Sequence, residues 1–220
     1  VLALPVDEIE ETIKLFSEDL RAGAVVVDTS PVKVAIGEAA QRLLGPDRYF
    51  VTLTPSINPL YLEEVAEGVD AAHADLFKNS SMTITSPPGT HPGAIELAVD
   101  LAGLLGSKPY FADPLESDGL MAASHTLPTL LAAALVHTAM DQPGWAEGRK
   151  LAGQRFFLTT RPVGSLDESK NLGQSALMNT ENVTRALDTL IGSLQNLREM
   201  ITRQESEALD EYLRQARDSR

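Results

Sequence analysis

An α/β front followed by an all-α rear is the fold this sequence predicts. Three observations carry the prediction. The stretch "VVVDTSPVK" at 25–33 runs β-branched residues into an acid, then a tight polar turn, then a lysine and a helical run. That is how a buried parallel strand delivers side chains to the carboxyl edge of a sheet, where open α/β folds place their sites. Strand and helix patterns alternate up to residue 113, and beyond Pro114 only helical periodicity remains. The expected units are therefore 1–113 and 114–220, in a chain of 220 residues.

The elements follow in order. "VLALPV" at 1–6 reads as a short buried strand. Asp7 with Glu10 three residues on reads as a capping box, and Ile9, Ile13, Phe16 and Leu20 recur at helical spacing. Gly23 ends that helix and "AVVVD" is the next strand. A helix over about 33–44 follows, then "RYFVTLTP" and the alternating "SMTITS" (81–86) as strands. Thr90 is the expected cap of a helix whose first turn holds Pro92, with Ile95, Val99, Ala102 and Leu105 as its buried face. Gly106 stops it and "KPYFAD" (108–113) is the last strand of a mainly parallel sheet.

The rear half opens with an uncharged stretch, "GLMAASHTLPTLLAAALVHTAM" at 119–140. It is long enough to span a bilayer, but two His, three Thr, a Ser and a central Pro make it a poor lipid-facing helix. A helix buried on all sides within a helical domain is the expectation. Val183, Leu187, Leu190, Leu194, Leu197 and Ile201 step by 4, 3, 4, 3, 4, a heptad seam for intramolecular packing or a dimer. Glu205 breaks the seam, and the tail "RQARDSR" is expected to fray.

Composition bounds the function. The net charge is −13 without a basic cluster, which argues against nucleic acid and anionic membrane as partners. With no cysteine, disulfides, thiolate nucleophiles and Cys-ligated metals are excluded. No His and carboxylate set has metal-ligand spacing, so no metal is expected. Nothing at the N-terminus resembles a signal peptide, and a cytoplasmic location is expected. A strand opening at residue 1 lacks paired neighbours, and no G-x-G-x-x-G turn occurs. The expectation is the rear part of a larger protein; the rival is a small module pairing its open edge with another chain.

The order "LALPVDEI", "VVVDTSPVK", "YFVTLTP", "DLF…MTITSP", "DPLESDGLMAASHTLPTLLAAAL", "LTTRP" and "NTENVTRALDTLIGSLQNLREMI" resembles the prephenate and arogenate dehydrogenases of tyrosine biosynthesis. The resemblance spans nearly the whole chain, from the fourth strand of the family's Rossmann domain to its last helices. It implies the rear half of a Rossmann-like NAD or NADP domain, a helical domain that forms a homodimer, and a small carboxylate substrate between them.

The resemblance also implies site residues. Where the family reads D-x-G-S-V-K, Asp28, Val32 and Lys33 match, while Ser30 and Pro31 replace the Gly and Ser. Asp28 and Lys33 are thereby cofactor-side candidates and Ser30 a substrate-binding one. The family's catalytic His-Pro is Thr54-Pro55 here. Its S-H-L-P-H becomes His125, Thr126, Leu127, Pro128 and Thr129, aligned from Asp118. Thr160-Arg161 keeps the Arg that takes a substrate carboxylate. A Thr hydroxyl can hydrogen-bond a substrate hydroxyl but does not accept its proton at neutral pH as His does, and losing such a base costs about 10²–10⁴-fold in rate. His125 shares a helix face with Thr129 and is the candidate replacement base; the plain alternative is a hydrogen-bonded core histidine. Arg161 and Lys33 also have plain alternatives, as a surface salt bridge and a partner of Asp28 or Glu38, and Ser30 as a helix cap. His137, His91 and His73 read as structural or surface residues. Two functions stay open: an NAD(P)-dependent dehydrogenase, active only with a phosphate-binding turn, and a non-catalytic or substrate-shifted relative that dimerises or binds a ligand. Ser30, Thr54, His125, Thr129 and Arg161 are expected to converge at the carboxyl edge of the sheet.

Overall fold

The computed structural model describes residues 1–64, 68–164 and 166–219, the side chains of 166–170 excepted. The front half is a four-stranded mixed sheet in the order β1 (Val25–Asp28), β2 (Tyr49–Pro55), β3 (Ser81–Thr85), β4 (Lys108–Phe111). β1 and β2 are parallel with Asp28 opposite Thr52; β3 runs antiparallel to β2; β4 is parallel to β3. The expected mainly parallel sheet thus contains one reversal, in the middle.

Residues 1–6 are not a strand. Only Leu2 bridges to the end of β1, through Leu2 N to the Val27 carbonyl (2.6 Å) and Thr29 N to the Leu2 carbonyl (3.0 Å). Pro5 then removes a ladder donor, and helix α1 (Val6–Phe16) starts directly after it. Asp7 lies in the first turn, where a carboxylate favours the helix dipole, but it makes no capping bond, so the capping box is absent.

Period-two alternation sends the sheet's side chains to two cores. On one face Val26 and Phe50 pack against Ile9 and Ile13 of α1 and Ile36 and Ala40 of α2 (Val34–Leu43). On the other, Val27, Val51, Leu53 and Ile84 meet α3 (Pro92–Leu104). The face α3 buries is an alanine stripe, Ala94, Ala98 and Ala102, which lets the helix lie close to the sheet. Of the larger residues expected there, Leu105 is 38% exposed. His91, not Thr90, caps α3: its Nδ1 accepts from Gly93 N (3.1 Å), and Thr90 Oγ1 turns back to the Pro87 carbonyl. Gly106 ends the helix at φ +77°, a left-handed value that favours glycine.

Among the described residues no strand follows Phe111. Helices α4 (Pro114–Met121) and α5 (Leu127–Met140) are joined by a π turn, Ala122–Thr126, into one 27-residue helix. Leu127 N reaches back five residues to the Ala122 carbonyl. Pro128, one residue on, has no N–H to continue the ordinary ladder, which is why the turn widens here. This helix is long and apolar enough to cross a membrane, yet only 17% of its most apolar window is buried within the chain, against the expectation of burial on all sides. Short α6 (Trp145–Gly148) and α7 (Gln154–Thr160) lead to α8 (Leu166–Met178), α9 (Thr180–Thr202) and α10 (Ser206–Asp218). Along the α9 seam Val183 is buried, whereas Leu194 and Ile201 are 49% and 61% exposed. The tail expected to fray is helical to Asp218, in α10, which follows α9 through a turn with Gln204 at φ 57°.

Ile13 is fully enclosed between α1, α2 and the sheet. Ile13→Ala is expected to lower the unfolding free energy by about 2–5 kcal/mol in denaturant titration. An unchanged midpoint would show that α1 contributes nothing to this core.

Candidate functional site

The turn after β1 is built by Asp28. Its carboxylate accepts from Ser30 N (3.2 Å) and Ser30 Oγ (2.7 Å), and Ser30 Oγ is also within 3.1 Å of the Val32 carbonyl. Lys33 lies beneath the turn, fully buried, with Nζ donating to the Ser30 carbonyl. Asp28 and Lys33 therefore hold the turn from inside, and Lys33 also lines a cavity of about 260 Å³ with Val34, Thr52 and Thr85.

A second carboxylate fixes the same turn from the helical domain. Asp118, on α4, accepts from Lys33 N (2.6 Å) and Val34 N (3.1 Å), the first free amides of α2. A carboxylate at a helix N-terminus meets both orphan donors and the positive end of the dipole. The polar chain continues: Asn179 Nδ2 donates to the Asp118 carbonyl (2.8 Å), Asn182 Nδ2 to Asn179 Oδ1 (2.7 Å), and Arg185 to Asn182 Oδ1. Burial dominates the charges here. It raises the pKa of Asp28 against the opposing field of Lys33, and raises Asp118 against the two amide bonds. It lowers Lys33 to about 8, the nearby carboxylates opposing.

Above this turn lies a cavity of about 220 Å³. Leu4, Pro5 and Val6 line one side, Thr29, Ser30 and Pro31 the floor, and His125, Thr129 and Pro162 the helical side, with Asn171, Leu172 and Ser175 of α8 closing it. It lies where β1 ends, at the carboxyl edge of the parallel pair. Ser30, His125 and Thr129 are thus brought together. Thr54 and Arg161 are not among its lining residues. Thr54, the last residue but one of β2, pairs with Thr83, and its hydroxyl is buried without a hydrogen-bond partner among the described residues. Arg161 lines a neighbouring cavity of about 440 Å³ with Tyr61 and Glu64, and donates to the Glu64 carbonyl (3.2 Å). Glu64 is held in turn by His73 (2.8 Å), which stacks on Tyr61 at 4.1 Å. His73 is therefore a partnered residue of this loop. The polar lining from α8, Asn171 and Ser175, escaped the sequence reading; two polar residues four apart in a helix are its only trace.

Comparison with known proteins agrees with this fold. The family model described as "Prephenate dehydrogenase, nucleotide-binding domain" matches residues 1–110, and "Prephenate dehydrogenase, dimerization domain" matches 113–215. No curated protein sequence matches the chain. Among solved structures, the arogenate dehydrogenase of Synechocystis is 25% identical, with 98% of this chain and 75% of that one covered at a TM-score of 0.79. The A. aeolicus prephenate dehydrogenase in complex with hydroxyphenyl propionate and NAD+ is 25% identical, with 98% and 73% covered at 0.84. A Corynebacterium glutamicum protein described as a putative prephenate dehydrogenase, 19% identical with 100% and 69% covered at 0.77, shares the fold.

The lowered pKa of Lys33 sets a pH window. A lysine whose folded value lies below 10.5 contributes stability that is complete above 10.5 and is lost as pH falls towards 8. The stability of the wild type minus that of Lys33→Met is expected to rise between those values in denaturant titrations. A flat difference would mean that Lys33 is not buried as described.

Proposed function

The chain belongs to the prephenate dehydrogenase family, and on that premise we propose that it serves the NAD(P)-dependent oxidative decarboxylation of prephenate or arogenate in cytoplasmic tyrosine biosynthesis. The observation that carries the reading is the cavity at the end of β1, where Ser30 faces His125 and Thr129 across one space. A dehydrogenation of this kind needs a group that takes the proton of the ring hydroxyl as hydride leaves the same carbon. His125 is the proton acceptor in this reading, and Ser30 and Thr129 hold the hydroxyl in place. Arg161 takes the substrate carboxylate by turning its guanidinium from the Glu64 carbonyl towards the cavity that its neighbour Pro162 lines.

The residues present fit the nicotinamide end of a cofactor. Leu4, Pro5, Thr29 and Pro31 offer small apolar surface and backbone at the strand ends. The pyrophosphate end has no counterpart, because the 220 residues contain no G-x-G-x-x-G. NAD, when bound, supplies the hydride acceptor; nothing in these residues separates it from NADP. The second reading, a relative that binds without turnover, is favoured by Thr54, whose oxygen is shut away from the cavity.

The helical domain carries the partner. Exposed Leu120, Met140, Leu177, Leu194 and Ile201 leave an apolar surface on α4, α5, α8 and α9 that a second copy of the chain covers in this reading.

Calorimetric titration of the chain with hydroxyphenylpropionate is expected to show one site, and Arg161→Ala to weaken it by about 1.5–3 kcal/mol. Absence of binding by the wild type sinks the assigned cavity. Turnover is assayed on the product of the full reading frame, with prephenate and arogenate, each with NAD and NADP. His125→Ala should lower it about 10²–10⁴-fold. Binding with no turnover under any pairing establishes the second reading.

Light scattering is expected to give a dimer at micromolar concentration and a monomer for the pair Leu194→Asp and Ile201→Asp. A monomeric wild type, or one found on lipid vesicles instead, removes the dimer assignment.

A further inference from the structure

We infer that Asp118 is the positioning residue of the cavity: its carboxylate, bonded to the amides of Lys33 and Val34, sets the distance between the Ser30 turn and His125. The inference rests on the proposed function for its meaning in catalysis, but its geometry stands apart. Asp118 is 3% exposed and bonds the α2 N-terminus with both oxygens. Three residues before Lys33 stands Ser30, on the cavity floor. Seven residues beyond Asp118, on the same continuous helix, stands His125, on the cavity wall. About two turns of helix, the second widened by the π turn, separate the two residues.

The same helix also packs against α2, β3, α8 and α9, and the Asp118 bonds add a polar fixed point to that packing. Asn179 holds the Asp118 backbone carbonyl from α9 and stops the side chain rotating with its own turn. Lys33 joins the two ends of the turn, since its backbone N–H meets Asp118 while its Nζ meets the Ser30 carbonyl. Asp118 is not among the residues that line the cavity, and it acts on a ligand through Ser30 and His125.

The absence of cysteine makes the test direct. Nitroxide labels on Pro31→Cys and Thr129→Cys, both lining the cavity, report its width in the full chain by electron paramagnetic resonance. With Asp118 intact the distance distribution is expected to be narrow. In Asp118→Ala it should broaden and shift while thermal unfolding stays cooperative, with Asp118→Asn in between because one carbonyl acceptor remains. Hydroxyphenylpropionate affinity in the unlabelled variants is expected to fall about tenfold or more for Asp118→Ala, the scale of a misplaced contact. A purely structural carboxylate would lower the melting temperature and leave the folded-state distance unchanged; that result overturns the inference. Should Asp118→Ala fail to fold, an unchanged distance in Asp118→Asn overturns it equally. If the wild type binds no hydroxyphenylpropionate, the proposed function falls, and the distance measurement alone still decides the role of Asp118.

Discussion

Everything at the cavity depends on one buried carboxylate meeting one helix end. Removing Asp118 from water is unfavourable, which is why its pKa is raised despite two amide donors. The compensation is that the first amides of α2, which every helix leaves unpaired, find an acceptor where water is excluded. The residues that meet are 85 apart in sequence, so the bond ties the helical half to the α/β half, beside the packing of α8 on α1 and of α4 on α2 and β3. Asp28 and Lys33 complete the arrangement from below. Three charged groups lie under one turn, two negative and one positive, and burial shifts each towards its neutral form. The turn they support exposes only Ser30 and its neighbours to the cavity.

The α/β framework was legible where local signals and burial agree. Val25 to Val27 followed by a polar turn gave β1 and the start of α2, and the loss of strand patterns at Pro114 matched the end of the sheet. Failures occurred where one residue overrides a pattern. Pro5 converts an apolar run that resembles a strand into a single bridge and a helix start. His91 outcompetes Thr90 as a cap because its ring nitrogen reaches Gly93 N, while Thr90 is engaged by Pro87. The alanine stripe of α3 was hidden because alanine carries little hydrophobic signal, although its smallness is what lets helix and sheet approach. In the site, Ser30, His125 and Thr129 were legible through the family resemblance, and they line one cavity. Arg161 and Thr54 were not placed by spacing, because the direction of a long side chain and the depth of a strand end depend on distant neighbours such as Glu64.

The two halves differ in how they use apolar surface. The front closes two cores around the sheet within the chain, with Ile9, Ile13 and Ala98 fully enclosed. The rear has comparable apolar content but leaves it outside: Leu194, Ile201 and Leu120 each keep about half or more of their surface. In the proposed dimer a second copy covers that surface, and the stability of the rear then depends on protomer concentration in a way that the front does not.

The unbroken run from Pro114 through the π turn also makes the helix a lever. At 1.5 Å per residue, Asp118 stands about 6 Å from the start of the helix and His125 about 16 Å. The restraint is nearer the fulcrum than the load. For a helix that pivots at Pro114, slack in the two amide bonds is magnified roughly two- to threefold at the imidazole, by the ratio of those two arms. A stretch of a few tenths of an ångström at the clamp, too small to break a hydrogen bond, then becomes about 1 Å at the ring, the difference between a hydrogen bond made and one lost.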